Sequence, residues 1–411
     1  MIKNIAFHTF FLFSTLTLSY TMQCESPLKH APPVSNAKLV SFALFLRHGI
    51  RTPVYTHKYL SRSEVGTWIC DSEDSEAPRN HFSIYPNIDQ SFSKISRRYF
   101  NQLDTNLVEY PINCQAGDLL IEGMRQHYEL GLFYQKYLIH ELHFLPRLIH
   151  TEYMDLRSSY VERTFRSGES FMAGLYPPVL PNESITFTTG SDSLDYLTID
   201  ASFCADLQKD INKFGQSKEL TDRINENRIL YKEIYEALNS SVDESNWRHL
   251  GDILGLAYCT NQKFPKAIEH LITEEIFNRS QTDSGFYYYK LYSVRKGVSS
   301  APIFRDLFSK LDEKRTSKRF FLFSAHDTTL ASILATLGYT DDRLPTFRSH
   351  LAFEIWERPE GSGKKYVRVV MNGDEVNIGD EDEIITLMQY NAFKEKLAKI
   401  GINNYCPEYP F

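Results

Sequence analysis

LVSFALFLRHGIRTP, residues 39–53, is the stretch that decides the fold class. From Leu39 to Leu46 every residue except Ser41 is apolar, with little alternation between apolar and polar positions. Such a run is typical of a strand that is buried on both faces of a sheet. It predicts an α/β protein with a mostly parallel central sheet flanked by helices.

Two guanidinium groups and one imidazole follow this strand, from Arg47, His48 and Arg51. Open α/β sheets bind their ligands at the carboxyl ends of their strands. Guanidinium forks bind phosphate oxygens bidentately, and an imidazole can attack phosphorus. We therefore predict that Arg47 and Arg51 bind phosphate and that His48 is a nucleophile, kept neutral in acid because neighbouring cations disfavour imidazolium. The alternative interpretation is a basic turn that forms salt bridges at the surface.

A second turn of this kind lies in residues 319–338, RFFLFSAHDTTLASILATLG. Residues 320–323 predict a short buried strand and residues 328–337 a helix, with His326 and Asp327 between them. A carboxylic acid beside a phosphate can protonate a leaving alkoxide, a task that favours acidic pH because the acid must first be protonated. The alternative role for Asp327 is to cap the helix, and the two roles are compatible.

Another strand is predicted over residues 148–156, and Arg157 follows it directly. Ser159 and Glu162 have the spacing of a capping box, which predicts a helix after the turn. Backbone N–H groups and a guanidinium can bind an anion together at such a turn, so Arg157 is a candidate phosphate ligand. Two arginines inside the predicted helix are expected to pair with acidic side chains: Arg163 and Arg166.

The first 22 residues carry one charge, Lys3, followed by an apolar middle and then smaller polar residues. This pattern predicts a secretory signal peptide over residues 1–22, cleaved between Ser19 and Cys24. An uncleaved membrane anchor is less favoured because polar residues interrupt the apolar run. No later stretch is long and apolar enough to span a bilayer, so we expect a mature chain without a transmembrane anchor, secreted or in the lysosomal lumen.

The composition, 411 residues with 42% hydrophobic, allows a sizeable core, and the net charge of -7 gives no support to nucleic-acid binding. The cysteines favour export, and Cys70 and Cys114 share a loop-rich stretch in which they are natural disulfide partners. Three glycosylation sequons fit secretion: Asn182, Asn239 and Asn278.

The polar, helix-favouring residues 205–290 predict a smaller helical insertion domain that walls the cleft. The α/β domain is then expected to comprise residues 36–204 and 291–411. A helix is also predicted over residues 92–107.

Three segments resemble the histidine acid phosphatases, the branch of the histidine phosphatase superfamily that includes prostatic and lysosomal acid phosphatases and phytases. They are RHGIRTP (47–53), RSSYVERTFRSGESFMAGLYPP (157–178) and SAHDTT (324–329). The resemblance implies an acid phosphatase that hydrolyses phosphate monoesters through a phosphohistidine, with neither metal nor cofactor. It implies that His48 is the nucleophile and Asp327 the proton donor. It implies these phosphate ligands: Arg47, Arg51, Arg157 and His326.

The resemblance also implies a disulfide between Cys204 and Cys406. Cys259 matches a half-cystine of the family, but Ser349 stands where its partner is expected. Cys259 is therefore either free or paired with Cys24.

Three other functions stay open at this point. A phytase-like inositol phosphate phosphatase should have more lysines around its site than these motifs show. A non-catalytic phospholigand-binding protein would use the same cations without turnover. A metal-dependent phosphohydrolase would need further ligands at helical spacing, and none stands out. The sequence leaves the oligomeric state open, a homodimer included.

Overall fold

The computed structural model describes residues 22–54, 70, 98–101, 116–177, 184–190, 195–199, 201, 204–238, 247–358, 363–380 and 382–407. Its strands are β1 (Lys38–Arg47), β2 (Arg98–Asn101), β3 (Met154–Ser158), β4 (Ser184–Thr189), β5 (Phe320–Ala325), β6 (His350–Glu357), β7 (Lys365–Met371), β8 (Asp374–Glu375) and β9 (Leu387–Gln389). Its helices are α1 (Ile121–Tyr134), α2 (Glu162–Leu175), α3 (Ala205–Gly215), α4 (Lys218–Leu230), α5 (Lys232–Ala237), α6 (His249–Cys259), α7 (Glu274–Ser293), α8 (Ala301–Asp312), α9 (Asp327–Thr336) and α10 (Tyr390–Lys399).

The predicted α/β class is confirmed, and the central sheet is mixed. Of the nine strands in the described residues, eight follow the order β2-β4-β3-β5-β1-β6-β7-β8, and the ninth, β9, pairs with β7. Pairing is parallel from β2 to β1 and antiparallel from β1 onward. The antiparallel half includes a tight hairpin between β7 and β8, where Asn372 and Gly373 both have positive φ, as the favoured two-residue turns require.

The first strand, β1, lies inside this sheet, between β5 and β6. Ala43 and Phe45 belong to the apolar core on one face, and Phe42, Leu44 and Leu46 belong to the core on the other. Both faces are therefore buried, which explains why the sequence of β1 lacks the alternation of a half-exposed strand.

In the described residues between Cys204 and Ser293, the regular structure is helical, from α3 to α7. Leu207, Phe214 and Tyr289 from this region pack in the same apolar core as Phe45 of the sheet. A separate apolar cluster, which includes Tyr231, lies among the helices themselves. The division of the chain into two domains stays a prediction.

Two disulfides are described. Cys204 and Cys406 are joined, as the resemblance implied, with their Cα atoms 4.6 Å apart. Cys24 and Cys259 are also joined, with a Cα–Cα distance of 5.4 Å, which settles the alternative left open for Cys259.

Several predictions concern residues outside the described ranges. They are the signal peptide up to residue 21, the partner Cys114 proposed for Cys70, and the sequons at Asn182 and Asn239. The third sequon, Asn278, lies within α7, and its Oδ1 is buried. Within the part of the chain that is described, none of the helices combines the length and the apolar composition needed to cross a bilayer.

The helix predicted over residues 92–107 is wrong where the structure describes it. Arg98–Asn101 forms β2, which pairs in parallel with β4. The edge of a neighbouring strand outweighed the local preference here, because strand formation depends on pairing partners distant in sequence.

Candidate active site

The backbone of the loop after β1 is held by neighbours on several sides. The N–H groups of residues 47–50 donate, in order, to Ser349 O, Ala325 O, Ser167 Oγ and Gln126 Oε1, over distances of 2.8, 3.1, 3.1 and 2.9 Å. Gly49 is required because α1 packs against the loop backbone. A Cβ on Gly49 would lie 2.3 Å from the carbonyl oxygen of Gly123. The loop is therefore fixed before any ligand arrives.

His48 is buried and has the tautomer that a nucleophile needs. Its Nδ1 lies 2.8 Å from the carbonyl oxygen of Gly49. Because a carbonyl only accepts hydrogen bonds, Nδ1 carries the proton and Nε2 keeps its lone pair. Burial, followed by the charges of Arg163, Arg47 and Arg51, holds the pKa of His48 well below its usual range. The imidazole is therefore neutral even in acid.

Arg47 and Arg51 lie at this site with their guanidinium ends held by acids. Arg47 Nη2 is 2.8 Å from Asp327 Oδ2, and its Nη1 donates to the carbonyl of Pro345. Arg51 forms an ion pair with Asp252 over 2.9 Å. Within the described residues, the buried Nε atoms of both arginines have no hydrogen-bond partner. Both therefore retain a donor for an anion.

Arg157 is not placed at this site. Strand β3 begins later than predicted and extends through Arg157, which pairs with Phe323 of β5 instead of lying on the turn. Its guanidinium lies over the ring of Tyr196, with 4.2 Å from Cζ to the ring centroid. The residues that line the cavity around His48 do not include Arg157. This placement does not support the predicted role of Arg157 as a phosphate ligand, because β3 continues past the predicted turn and keeps Arg157 within the strand.

Arg163 takes the position expected for Arg157. It lies in the first turn of α2, lines the cavity, and is the largest charge acting on both His48 and His326. Burial and the charge of Arg51 lower the pKa of Arg163 to about 10. Its Nε has no hydrogen-bond partner within the described residues. The signal for it was its place in the first helical turn, where anions bind.

Arg163 was expected to pair with an acid, and no ion pair within the described residues holds it. The same expectation for Arg166 is confirmed, since its Nε lies 2.9 Å from Glu162 Oε1. The two arginines differ because Arg163 faces the cavity while Arg166 lies one turn further along α2.

His326 and Asp327 follow β5 and begin α9. His326 is the N-cap residue of α9, and Asp327 is its first residue, with Oδ1 accepting the N–H of Thr328 over 2.8 Å. The rings of His48 and His326 lie 5.7 Å apart. Asp327 Oδ2 contacts Arg47, and Asp327 and His48 line the same cavity. Asp327 itself does not cap the helix.

Ser159 has a different role from the predicted one. The N-cap residue of α2 is Val161, without a side-chain cap. The Ser159 hydroxyl lies instead 2.9 Å from Nε2 of His326 and 2.8 Å from Oγ1 of Thr164. The capping box of Ser159 with Glu162 is therefore wrong, because the serine oxygen orients a site histidine.

The site is a cavity of about 690 Å³ at the carboxyl edge of the parallel strands. Of the predicted site residues it brings together Arg47, His48, Arg51, His326 and Asp327. Helices α6 and α7 also line it, the wall expected from the helical segment. Among the residues described, no group of three His, Cys, Asp or Glu side chains is placed to hold a metal ion.

Comparisons with known proteins agree with this geometry. The model of the histidine phosphatase superfamily (branch 2) matches residues 38–372. 2-phosphoxylose phosphatase 1 of Xenopus tropicalis is 26% identical over 364 residues, which cover 84% of this chain and 70% of that protein. Counting factor 60 of Dictyostelium discoideum is 22% identical over 437 residues, which cover 98% of this chain and 97% of that protein.

Among solved structures, the phytase of Hafnia alvei in complex with tartrate shares the fold. Its TM-score is 0.59 at 16% identity, covering 89% of this chain and 98% of the phytase. The family match includes the loop after β1 and the turn between β5 and α9. The chain therefore belongs to branch 2 of the histidine phosphatase superfamily and is a phosphatase.

Proposed function

We propose that this protein is a metal-independent acid phosphatase that hydrolyses phosphate monoesters through a phosphohistidine at His48. One observation carries the proposal. Nδ1 of His48 is bound to a carbonyl, and Arg47, Arg51 and Arg163 line its cavity with Nε atoms that have no hydrogen-bond partner within the described residues. A neutral nucleophile among fixed cations suits attack on a phosphate.

In the first step, Nε2 of His48 attacks phosphorus, and the bond between phosphorus and the ester oxygen breaks. Asp327 gives its proton to the departing oxygen, which leaves as an alcohol. In the second step, Asp327 takes a proton from water, which attacks phosphorus and breaks the N–P bond. His48 and inorganic phosphate are released, and Asp327 is protonated again. Because Asp327 must begin protonated, turnover is favoured in acid.

Arg47, Arg51 and Arg163, together with His326, are the proposed ligands of the nonbridging phosphate oxygens. Donors fixed before the reaction stabilise the charge that moves onto these oxygens without reorganising. The backbone anchors of residues 47–50 and the contact of Ser159 with His326 provide this fixation. The arginines thus supply the positive charge that metal ions supply in many phosphatases.

The cavity favours a monoester of a weakly charged alcohol over a phytate-like polyanion. Beyond the phosphate ligands, the described lining residues include Arg248 and Arg343 but no lysine, and Asp341 opposes them. The rest of the wall is rich in tyrosines: Tyr160, Tyr288, Tyr289, Tyr292 and Tyr339. Inositol hexakisphosphate would need more cations than this wall offers. The phytase alternative is therefore less favoured.

The test compares wild type with His48→Ala on a panel of monoesters, phytate included, from about pH 4 to about pH 8, with and without chelator. The proposal predicts turnover that survives chelation and vanishes in His48→Ala while the fold persists. A quench in alkali, in which phosphohistidine survives, should trap a labelled phosphoryl group on His48. Wild type that binds phosphate without turnover would identify a phospholigand-binding protein, and loss on chelation would identify a metal-dependent enzyme.

We also propose that the mature protein is secreted or lysosomal. Its two described disulfides fit an oxidising compartment, where such bonds persist. The Cys24–Cys259 bond requires that processing leave Cys24 in place. Amino-terminal sequencing of the protein from culture medium and from lysosomes should therefore find an end between residues 20 and 24. Size-exclusion chromatography with light scattering tests the homodimer.

A further inference from the structure

Arg51 is held by an acid that neither the motifs nor the resemblance indicated. Asp252 lies in α6, and its carboxylate faces the end of the Arg51 guanidinium. The distances are 2.9 Å from Oδ1 to Nη2 and 3.1 Å from Oδ2 to Nη1. Asp252 Oδ2 also accepts the N–H of Val54 over 3.0 Å. One carboxylate on α6 thus contacts both the side chain of Arg51 and the backbone of Val54.

The contact with Asp252 sets which edge of the guanidinium stays available. Nη1 uses its two hydrogens on Asp252 and on the carbonyl of Thr52, which is 3.0 Å away. Nη2 uses one hydrogen on Asp252. The other Nη2 hydrogen and the Nε hydrogen lie on the same edge of the planar group. Nε is buried and has no partner within the described residues, so this edge forms a bidentate donor for a phosphate.

Asp252 also balances charge in a crowded cluster. Arg51 lies near Arg47 and Arg163, and its charge lowers the pKa of both. The carboxylate of Asp252 opposes this effect in each of them. Without it, Arg51 would be pushed from its neighbours by like charge, and a long side chain would regain its rotamer freedom.

The helix that carries Asp252 is firmly placed. Its last residue, Cys259, is joined to Cys24 by a disulfide. On the other side, α6 packs so closely on α7 that a Cβ on Gly251 would lie 2.2 Å from the carbonyl oxygen of Ser280. A group on a fixed element can position another side chain precisely enough for chemistry.

We propose that Asp252 is a positioning residue for phosphoryl transfer, which holds Arg51 so that its Nε and Nη2 edge binds the transferring phosphoryl group. The inference rests on the proposed function, since Arg51 must be a phosphate ligand. It assigns the helical region a part in the chemistry besides walling the cavity. Asp252 itself takes no proton and touches no reacting atom.

The test is Asp252→Asn, which keeps the shape and removes the charge. We expect kcat/KM to fall about 10- to 100-fold, because small displacements of a phosphate ligand have effects of that size. The inhibition constant for inorganic phosphate should rise, since Arg51 also binds the product. Asp252→Glu keeps the charge and should recover part of the loss. It also provides a folded variant if Asp252→Asn is unstable.

A double-mutant cycle separates positioning from general stability. In the background of Arg51→Ala, Asp252→Asn should lower kcat/KM by less than about 2-fold, because the group it positions is gone. Asp210→Asn is the matched control. Asp210 is a buried acid that contacts Arg295 over 2.8 Å and does not line the cavity. Its loss should lower the melting temperature while kcat/KM stays unchanged.

Two results would overturn this inference. One is an unchanged kcat/KM for Asp252→Asn, and the other is the same loss whether or not Arg51 is present. The proposed function fails separately, if His48→Ala retains turnover. A dead His48→Ala with an unaffected Asp252→Asn would therefore reject the role of Asp252 alone.

Discussion

Comparing the variants Arg163→Gln and Arg157→Gln tests which arginine of the segment 157–178 binds the phosphate. Arg163 lines the cavity, whereas Arg157 does not line it and lies over the ring of Tyr196. Loss of one fixed donor to a developing anionic charge costs about 2.7–4 kcal/mol, or about 100- to 1,000-fold in rate. Arg163→Gln should therefore lose about that factor in kcat/KM, and Arg157→Gln should lose less than about 2-fold.

Arg163→Gln, which should lose activity, should gain stability, and Arg157→Gln, which should keep activity, should lose stability. Burial is the main cause that lowers the pKa of Arg163 from its usual value to about 10, so its charged form is disfavoured in the folded protein. A shift of this size corresponds to a penalty of up to about 3 kcal/mol, which Arg163→Gln would relieve. Arg157→Gln instead removes a cation–π contact worth about 0.5–2 kcal/mol. Arg163→Gln should thus raise the melting temperature, and Arg157→Gln should lower it.

The pH profile provides a third readout. Arg163 is the largest charge that holds the pKa of His48 down, so its removal raises that pKa. Less His48 is then neutral at a given acidic pH, and the acid limb of kcat/KM moves to higher pH. Arg163→Lys keeps the positive charge but lacks the bidentate guanidinium. It should therefore leave the acid limb of kcat/KM at the same pH while lowering kcat/KM itself.

The assay is steady-state hydrolysis of an aryl monoester across the acidic range, with thermal unfolding of each variant. A large loss of kcat/KM in Arg157→Gln with a small loss in Arg163→Gln would refute Arg163 as the phosphate ligand. It would support Arg157 instead, as the resemblance implied. An unchanged acid limb in Arg163→Gln would refute the electrostatic part alone.

Three further predictions concern the acid, the loop and a buried histidine. Asp327→Asn should lower kcat/KM about 100- to 10,000-fold on alkyl monoesters and much less on p-nitrophenyl phosphate, whose leaving group needs no proton; parallel kinetics check this. Gly49→Ala places a Cβ 2.3 Å from the Gly123 oxygen. It should cost about 1–3 kcal/mol in chemical denaturation and impair turnover, because His48 is adjacent. His127 is buried, and burial is the main cause that lowers its pKa to about 3. The unfolded chain gains a proton at His127 below about pH 6.5, so the free energy of unfolding decreases as the pH is lowered. His127→Gln should reduce this decrease between pH 7 and pH 5 by about 2 kcal/mol.

Each of these has its own contrary outcome. Equal losses in kcat/KM of Asp327→Asn on both ester classes would remove its role as proton donor. A Gly49→Ala variant with wild-type stability and turnover would mean that the loop yields to α1. Unfolding curves of His127→Gln that keep the wild-type pH dependence would show that other groups dominate in acid; His270→Gln, an exposed histidine, controls for substitution itself.

The sequence by itself determined the central strand, the loop after it that begins with His48, and the turn that carries Asp327. These are local features: an unbroken apolar run is buried wherever it pairs, and the residues after it must emerge at the strand end. Most secondary structure near the site followed from the same local patterns. Motif similarity then identified the family.

Only the tertiary structure decided which arginines line the cavity and what holds them. The placement of β3 moved Arg157 onto Tyr196 and left the place to Arg163, and no local pattern fixes where a strand begins. Asp252 reaches Arg51 across 201 residues of chain, a pairing with no sequence signal. The neutral state of His48 owes most to burial, which exists only once distant segments have packed together.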